Sequence, residues 1–487
     1  MTSKLPVEFR SALDQARLLR ARKIGARELL DLCWARVEKH NPILNAVIVS
    51  DIARARKAAA AADKRLKAGK PKGLFDGVPM TIKESFDWTG TATTWGDPRF
   101  AKNIAKADAV ALTRLSDQGA VVFGKTNVPL MLADWQSFNA IYGTTNNPWD
   151  VTRSPGGSSG GSAVALATGM SALEVGSDIG SSIRNPAHYC GVYGHKPTYG
   201  IVPVRGQFLP GIVSPSDISV AGPLARSAKD LTAMLKLLAG PDGAEARATS
   251  LRLPPAPQAS FKDFRVAVML TDPVSEVDQP VQDLLGQLVK FLSKRVKKLS
   301  MTARPDFTTA EAMDVYVKLL RSATSRRQSD EDFARNIEVA RELKPDDESY
   351  FARMTRANVL AHRAWLKANE RRHQMRLLWD RFFDDWDIMI CPAAASAAFP
   401  HDQEGERHNR TILVNGRQVP TTDQLFWAGY SGGFYLPSTV APIGLTASGL
   451  PAGVQIITRQ FADLTSLRFA EFLERDYCGF VPPPGYT

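Results

Sequence analysis

The chain declares itself at Ser154-Pro-Gly-Gly-Ser158-Ser-Gly-Gly-Ser162-Ala and, shortly after, at Ser177-Asp178-Ile-Gly180-Ser-Ser182-Ile-Arg184-Asn-Pro186. Gly156, Gly157, Gly160 and Gly161 allow positive φ or close backbone approach, so Ser158, Ser159 and Ser162 can be held in tight turns. From Ser162 the pattern turns helical through Ala163, Val164, Leu166 and Ala167 and stops at Gly169, which places the loop at a helix N-terminus whose N–H groups are free. The second turn, Gly180 to Ser182, is framed by Asp178 and Arg184. A flexible linker and a phosphate cradle are the two rival readings of such a stretch. The first does not account for the second serine turn, and the second lacks a terminal Gly-Lys-Ser/Thr. Two serine-bearing turns in close succession point to a hydroxyl nucleophile and a helper.

Working outward, 487 residues that are 44% hydrophobic can bury a large core. No long low-complexity linker and no repeat of 20 to 50 residues is present, so one large domain is expected. The net charge of +11 comes from 61 basic and 50 acidic residues, with arginines scattered among acidic neighbours. Without a nucleic-acid-binding motif this reads as a solvated surface. Cys33, Cys190, Cys391 and Cys478 have neither paired nor metal-ligand spacing, so reduced thiols and no metal site are expected. The N-terminal ten residues lack the apolar core of a signal peptide, and no apolar run reaches 18 residues. The expectation is a cytoplasmic protein that does not cross a membrane.

Apolar periodicity predicts two helices between Ser11 and Lys39 broken near Gly25, a strand at Val47 and Ile48, and a helix from Asp51 to Leu66. A strand from Val78 to Ile82 then delivers Lys83. A helix over 109–118 and a strand over 120–123 form an αβ step. Helical patterns follow over 229–238, 280–297 and 350–383, with strands over 265–269, 388–390, 440–443 and 454–457 and a closing helix over 464–475. The segment 400–425 reads as a polar loop, and 426–435 as an aromatic pocket wall or core turn.

The run from Gly156 to Pro197 resembles the serine-rich motif of the amidase signature enzymes. Gly-Lys-Thr-Asn at 124–127, Tyr-Gly-Thr-Thr-Asn-Asn-Pro-Trp-Asp at 142–150, Ala-Gly-Pro-Leu-Ala-Arg at 221–226 and Ser-Gly-Leu-Pro-Ala-Gly-Val-Gln-Ile at 448–456 extend the likeness over most of the chain. The resemblance implies an α/β fold with a single large mixed β-sheet core covered by helices on both faces. It implies one domain over 1–487, with N-terminal helices at about 8–70, a catalytic core at about 71–240 and 385–487, and a variable, mostly helical insertion at about 270–385. It also implies a catalytic triad of Ser182 as nucleophile, Ser158 as bridge after a cis peptide bond, and Lys83 as base. Ile179, Gly180, Ser181 and Ser182 would form the oxyanion hole, supported by Ser159, Asp178 and Arg184. The chain departs from the family pattern at Ser181, where a glycine is usual, and at Glu84, where aspartate often follows the lysine.

The residue types fit that chemistry. A serine hydroxyl needs a base, and a lysine serves only when neutral, which burial promotes by lowering its pKa. His188 and His195 lie nearby but read as packed histidines, since no acid at suitable spacing presents itself to orient a ring. The implied activity is cleavage of an amide C–N bond through an acyl-enzyme without cofactor, with carbamates and esters open to the same acylation chemistry. Leu130, Met131, Leu132, Trp135, Phe208, Leu209 and Tyr430 are candidates for an apolar substrate pocket, so an uncharged aliphatic or aromatic acyl group is expected. The expected partners are a small-molecule amide and, by family analogy, a second copy in a homodimer, with neither nucleic acid nor membrane. Two alternatives stay open: a glutamine-hydrolysing subunit of a tRNA-dependent amidotransferase, and a catalytically silent binding protein on the same scaffold.

Overall fold

In the computed structural model, which describes residues 5–487, two sheets meet at the strand that carries Lys83. Of the N-terminal stretch read above, Met1 to Lys4 lie outside the described residues. Pro79–Lys83 runs parallel to Val121–Thr126, whose other edge takes Val47–Ser50 antiparallel. On its free side Met80 bridges in parallel to Leu173, one residue before the edge strand of the larger sheet. That sheet has eight strands in the order Lys298–Ser300, Arg265–Val268, Ile388–Pro392, Pro451–Ile457, Ser438–Leu445, Tyr193–Lys196, Val220–Ala225 and Glu174–Asp178. The first three are parallel and the rest antiparallel. This is a mixed sheet, and its central strands read as continuous apolar runs because both faces are buried.

Successive strand residues point to opposite faces, and adjacent side chains on Ser438–Leu445 show what covers each. Ser438 meets Ser431 of the helix Leu425–Gly432 at 3.3 Å, whereas Thr439 meets Ser466 of the helix Asp463–Asp476 at 2.9 Å. Helices therefore lie on both faces. On the first face the short helix Arg184–Cys190 also packs, every residue of it buried.

The helix Thr309–Ser325 packs against Leu425–Gly432, Tyr350–Asn358 and His362–Asp385. It packs tightly on Gly429, where a Cβ would collide with the Tyr316 ring. The segment 270–385 is mostly helical, with one short strand. The helix Gln279–Ser293 and the strand Lys298–Ser300 belong to the main sheet layer, and the separate helical part begins at Thr309. The polar loop expected over 400–425 is corrected: Thr411–Val414 and Arg417–Pro420 form a hairpin. Its turn is Asn415-Gly416, both at positive φ, and Ile412 and Val414 alternate into the core. The abundance of polar residues masked a short strand pair with one buried face.

Cys33, Cys190 and Cys391 are buried and all four thiols are free. Among the described residues no helix is long and apolar enough to cross a membrane, and no cluster of three metal-ligating side chains occurs.

Candidate active site

Lys83 ends its strand with no exposed surface. Its Nζ donates to Ser158 Oγ at 2.6 Å and to Ser177 Oγ at 2.9 Å. Burial pushes the ammonium down to about 7; Asp178, Glu174 and Glu84 oppose that shift and Arg327 adds to it. Near neutral pH a large fraction of Lys83 is thus the free amine, the form able to take a proton. Ser177 in turn accepts from Gln207 Nε2 at 3.2 Å.

Ser158 follows a cis peptide bond from Gly157. Gly157 is required by space, because a Cβ there would run into the Asp134 carbonyl oxygen. The next residue, Ser159, donates its N–H to the Ser182 carbonyl at 3.1 Å, which ties the two serine turns together. Ser162, inside the helix Gly160–Ala167, meets Thr126 Oγ1 at 2.9 Å and so fixes that helix to the strand beside Lys83.

The second turn is built around Asp178. This fully buried carboxylate accepts from the N–H of Ser181 at 2.9 Å and of Ile183 at 3.1 Å, and it takes two bonds from the Arg184 guanidinium at 3.0 and 2.9 Å. Burial alone would raise its pKa, but the charge and hydrogen bonds of Arg184 prevail and hold it below the usual carboxylate range. Arg184 reaches on to Ala428 O, Ser431 Oγ and Gln455 Oε1 at 3.0, 2.8 and 2.6 Å, which anchors the turn to the main sheet. Two carbonyls of the turn are held by side chains outside it: Tyr316 Oη donates to Ile179 O at 2.9 Å and Trp135 Nε1 to Gly180 O at 2.8 Å.

One part of the expected oxyanion hole needs correcting. The Ser181 N–H is occupied by Asp178, so the donors this turn can offer are those of Ile179, Gly180 and Ser182. Ser181 also adopts φ +72°, the left-handed region that the usual glycine enters without cost.

A cavity of about 350 Å³ opens in front of Ser182, Ile179 and Gly180. Of the sequence candidates, Met131, Leu132 and Trp135 line it, together with Leu320 and Leu425. The other pocket candidates are placed elsewhere. Leu130 points outward, half exposed. Leu209 packs behind Leu132 with Trp95 and Val128, and Phe208 lines two neighbouring cavities. Tyr430 is a core residue, its ring 5.1 Å from that of Trp379 in an edge contact. Each is apolar or aromatic, and sequence alone does not separate a pocket wall from the layer behind it. Sequence reading also missed Ser177, Tyr316, Arg321, Arg327 and Arg407. Ser177 stands one residue before Asp178 in the quoted motif, while the others lie outside every motif.

The histidines are otherwise engaged. His188 accepts the Gly453 N–H at Nδ1 at 2.8 Å and turns Nε2 toward Ser396 O at 3.0 Å, and His195 uses Nδ1 toward Thr439 at 2.9 Å and Nε2 toward Asp463 at 3.2 Å. An acid does therefore face His195, contrary to the sequence reading, but both ring nitrogens have partners away from Ser182.

The amidase family model matches residues 28–467. The chain belongs to the amidase signature family. It is 31% identical to indoleacetamide hydrolase of Bradyrhizobium diazoefficiens, over 97% of this chain and 87% of that protein. It is 29% identical to human fatty-acid amide hydrolase 2, over 98% and 91%. A glutamyl-tRNA(Gln) amidotransferase subunit from an Anaeromyxobacter strain is 30% identical over 95% of each. Among solved structures, a bacterial aryl acylamidase of the amidase signature family superimposes with a TM-score of 0.80 at 24% identity, covering 97% of both chains, a likeness of fold. The mixed sheet described above is thus the fold of this hydrolase family.

Proposed function

We propose that this amidase signature protein hydrolyses a small amide through an acyl-enzyme on Ser182. Ser182 Oγ attacks the amide carbon while its proton passes to Ser158, whose own proton passes to the neutral Lys83 amine. The oxyanion then accepts hydrogen bonds from the N–H groups of Ile179, Gly180 and Ser182, each such donor typically contributing about 10² to 10³ in kcat. Collapse breaks the C–N bond, and Lys83 returns the proton through Ser158 to the leaving amine. Water hydrolyses the ester by the same relay run again. Positioned proton transfer of this kind contributes about 10² to 10⁴ in rate.

The observation that carries this reading is the buried Lys83 with Nζ 2.6 Å from Ser158 Oγ and its pKa lowered to about 7. A buried lysine without a carboxylate within bonding distance is costly for stability alone. The apolar wall of Leu132, Trp135, Leu320 and Leu425 suits a small aliphatic or aromatic chain next to the scissile bond, and activated carbamates and esters fall within the same acylation chemistry.

The test is product release from aliphatic and aromatic primary amides, an anilide, a peptide amide, glutamine and an aryl carbamate, with Ser182→Ala as control. Turnover of simple amides that disappears in the variant is expected. Turnover of glutamine alone, dependent on a partner chain, would move the reading to an amidotransferase component. Absence of turnover together with failure of a sulfonyl fluoride to label Ser182 would leave a binding protein.

A further inference from the structure

The cavity before Ser182 is lopsided in charge. Its lining includes four arginines, Arg99, Arg321, Arg327 and Arg407, against two aspartates, Asp134 and Asp332. Both aspartates are already committed, Asp134 to Arg410 at 2.6 Å and Asp332 to Arg335, while Arg99 pairs with Asp97 at 2.6 Å. The remaining three form no ion pair among the described residues.

Neutral groups hold these three in place. Arg321 Nε donates to the Tyr350 hydroxyl at 2.8 Å. Arg327 donates to Met131 O at 3.1 Å and lies over the Trp95 ring, 5.2 Å from its centre. Arg407 donates to Ala133 O at 2.7 Å and lies over the Trp135 ring at 4.8 Å, leaving its Nε buried without a partner. A guanidinium offers five N–H donors, so each retains donors for a ligand. Burial lowers the Arg327 pKa to about 10, with Arg326 and Arg321 adding to the shift, and burial lowers that of Arg407 too, against the charge of nearby Asp134. Both remain cations at neutral pH. Clustered cations that outnumber their counter-charges, here with Asp134 shared between Arg407 and Arg410, are destabilising by themselves and are well suited to bidentate recognition of a carboxylate.

Taking Ser182 as the nucleophile, we infer that the amide substrate carries a carboxylate, which Arg327 and Arg407 hold while the amide carbon lies at Ser182. The uncharged substrate expected from the sequence is replaced by one with an apolar segment and an anionic end. The same wall disfavours a substrate ammonium, because the two cavity carboxylates already have cationic partners. Glutamine, with both charges, is therefore a poorer fit than its analogue without the amino group.

The experiment is calorimetric titration of the Ser182→Ala variant, which binds without turnover. Glutaramate is compared with pentanamide and glutamine to place the carboxylate on the acyl side, and hippurate with N-propylbenzamide to place it on the amine side. In at least one pair the carboxylate member should bind about tenfold or more tightly than its neutral counterpart, and glutaramate should exceed glutamine. Adding Arg327→Gln or Arg407→Gln should reduce that ratio to near one, whereas Arg327→Lys should retain part of it. Should a glutamine variant fold poorly, raising salt from about 0.05 to about 0.5 M should erode the preference in the parent, as screening requires. Neutral members binding as tightly in both pairs, or a preference insensitive to salt and to both substitutions, would overturn the inference. Failure of sulfonyl fluoride to label wild-type Ser182 would instead overturn the nucleophile assignment and leave a measured anion preference standing.

Discussion

The serine turns and the helical wall that faces them are held together in opposite ways. In the turns every charge has its counterpart: Asp178 and Arg184 are wholly buried and satisfy each other, and Arg184 fills its remaining donors with Ala428, Ser431 and Gln455. Across the cavity, Arg321 and Arg327 on or just after the helix Thr309–Ser325 have only neutral partners. A satisfied network fixes geometry, whereas an unsatisfied one awaits a ligand. On the proposed reading, machinery and recognition are thus separated in the fold, the first tied to the main sheet and the second to the helices packed over it.

The sharpest contrast between the two regions is in removing a carboxylate from each. Asp178→Asn leaves the Arg184 guanidinium buried without its counter-charge and should cost about 3 to 5 kcal/mol, with loss of activity as the Ser181 and Ile183 N–H anchors weaken. Asp332→Asn, on the exposed pair with Arg335, should leave the denaturation midpoint essentially unchanged. Equal effects in urea titrations would break the comparison.

Tyr316 crosses from one region to the other, since it grows from the helical wall yet holds Ile179 O. Tyr316→Phe leaves that carbonyl without its donor, a loss of about 1 to 3 kcal/mol. If the bond orients the oxyanion donors, kcat should fall on the order of tenfold while KM changes less. A change confined to KM would assign Tyr316 to the pocket wall instead.

The smallest effect is expected at Ser181. Its positive φ carries a cost of about 1 to 2 kcal/mol for a residue with a Cβ, partly offset in the Gly variant by greater chain entropy in the unfolded state. Ser181→Gly should therefore raise stability by about 0.5 kcal/mol, read as a small rise in Tm, with kcat retained. A fall in Tm would mean that the Ser181 hydroxyl has a structural partner.

The turns were legible because their chemistry is local. Glycine spacing, the paired serines and the Asp178 to Arg184 frame sit within one continuous stretch, whereas Lys83, at the end of an apolar strand, reads by itself as an ordinary edge charge and was singled out by the family resemblance. Half of the eight-stranded sheet was legible in apolar runs, at 265–269, 388–390, 440–443 and 454–457, while Glu174–Asp178, Tyr193–Lys196, Val220–Ala225 and Lys298–Ser300 are interrupted by polar residues, glycine or proline and were missed, as was the hairpin Thr411–Val414 and Arg417–Pro420. The wall was not legible. Arg321 and Arg327 have the spacing of ordinary solvated charges on an amphipathic helix, and Arg407 lies in a polar segment. Tyr430 and Phe208 look like pocket residues in sequence, and only packing distinguishes them from Leu320 and Leu425, which line the cavity. Ser181 announced itself as a departure from the family pattern, but that its N–H belongs to Asp178 is a three-dimensional fact.

The central claim is that neutral Lys83 activates Ser182 through Ser158, and the rate at which phenylmethylsulfonyl fluoride modifies Ser182 tests it without knowledge of the substrate. Measured by mass spectrometry across pH, labelling of the wild type should rise through about pH 7, following deprotonation of Lys83. Lys83→Ala should be slower by about 10² or more and lose that dependence, while His195→Gln should retain both rate and profile. Labelling indifferent to Lys83→Ala, or abolished in a folded His195→Gln variant, would contradict the account.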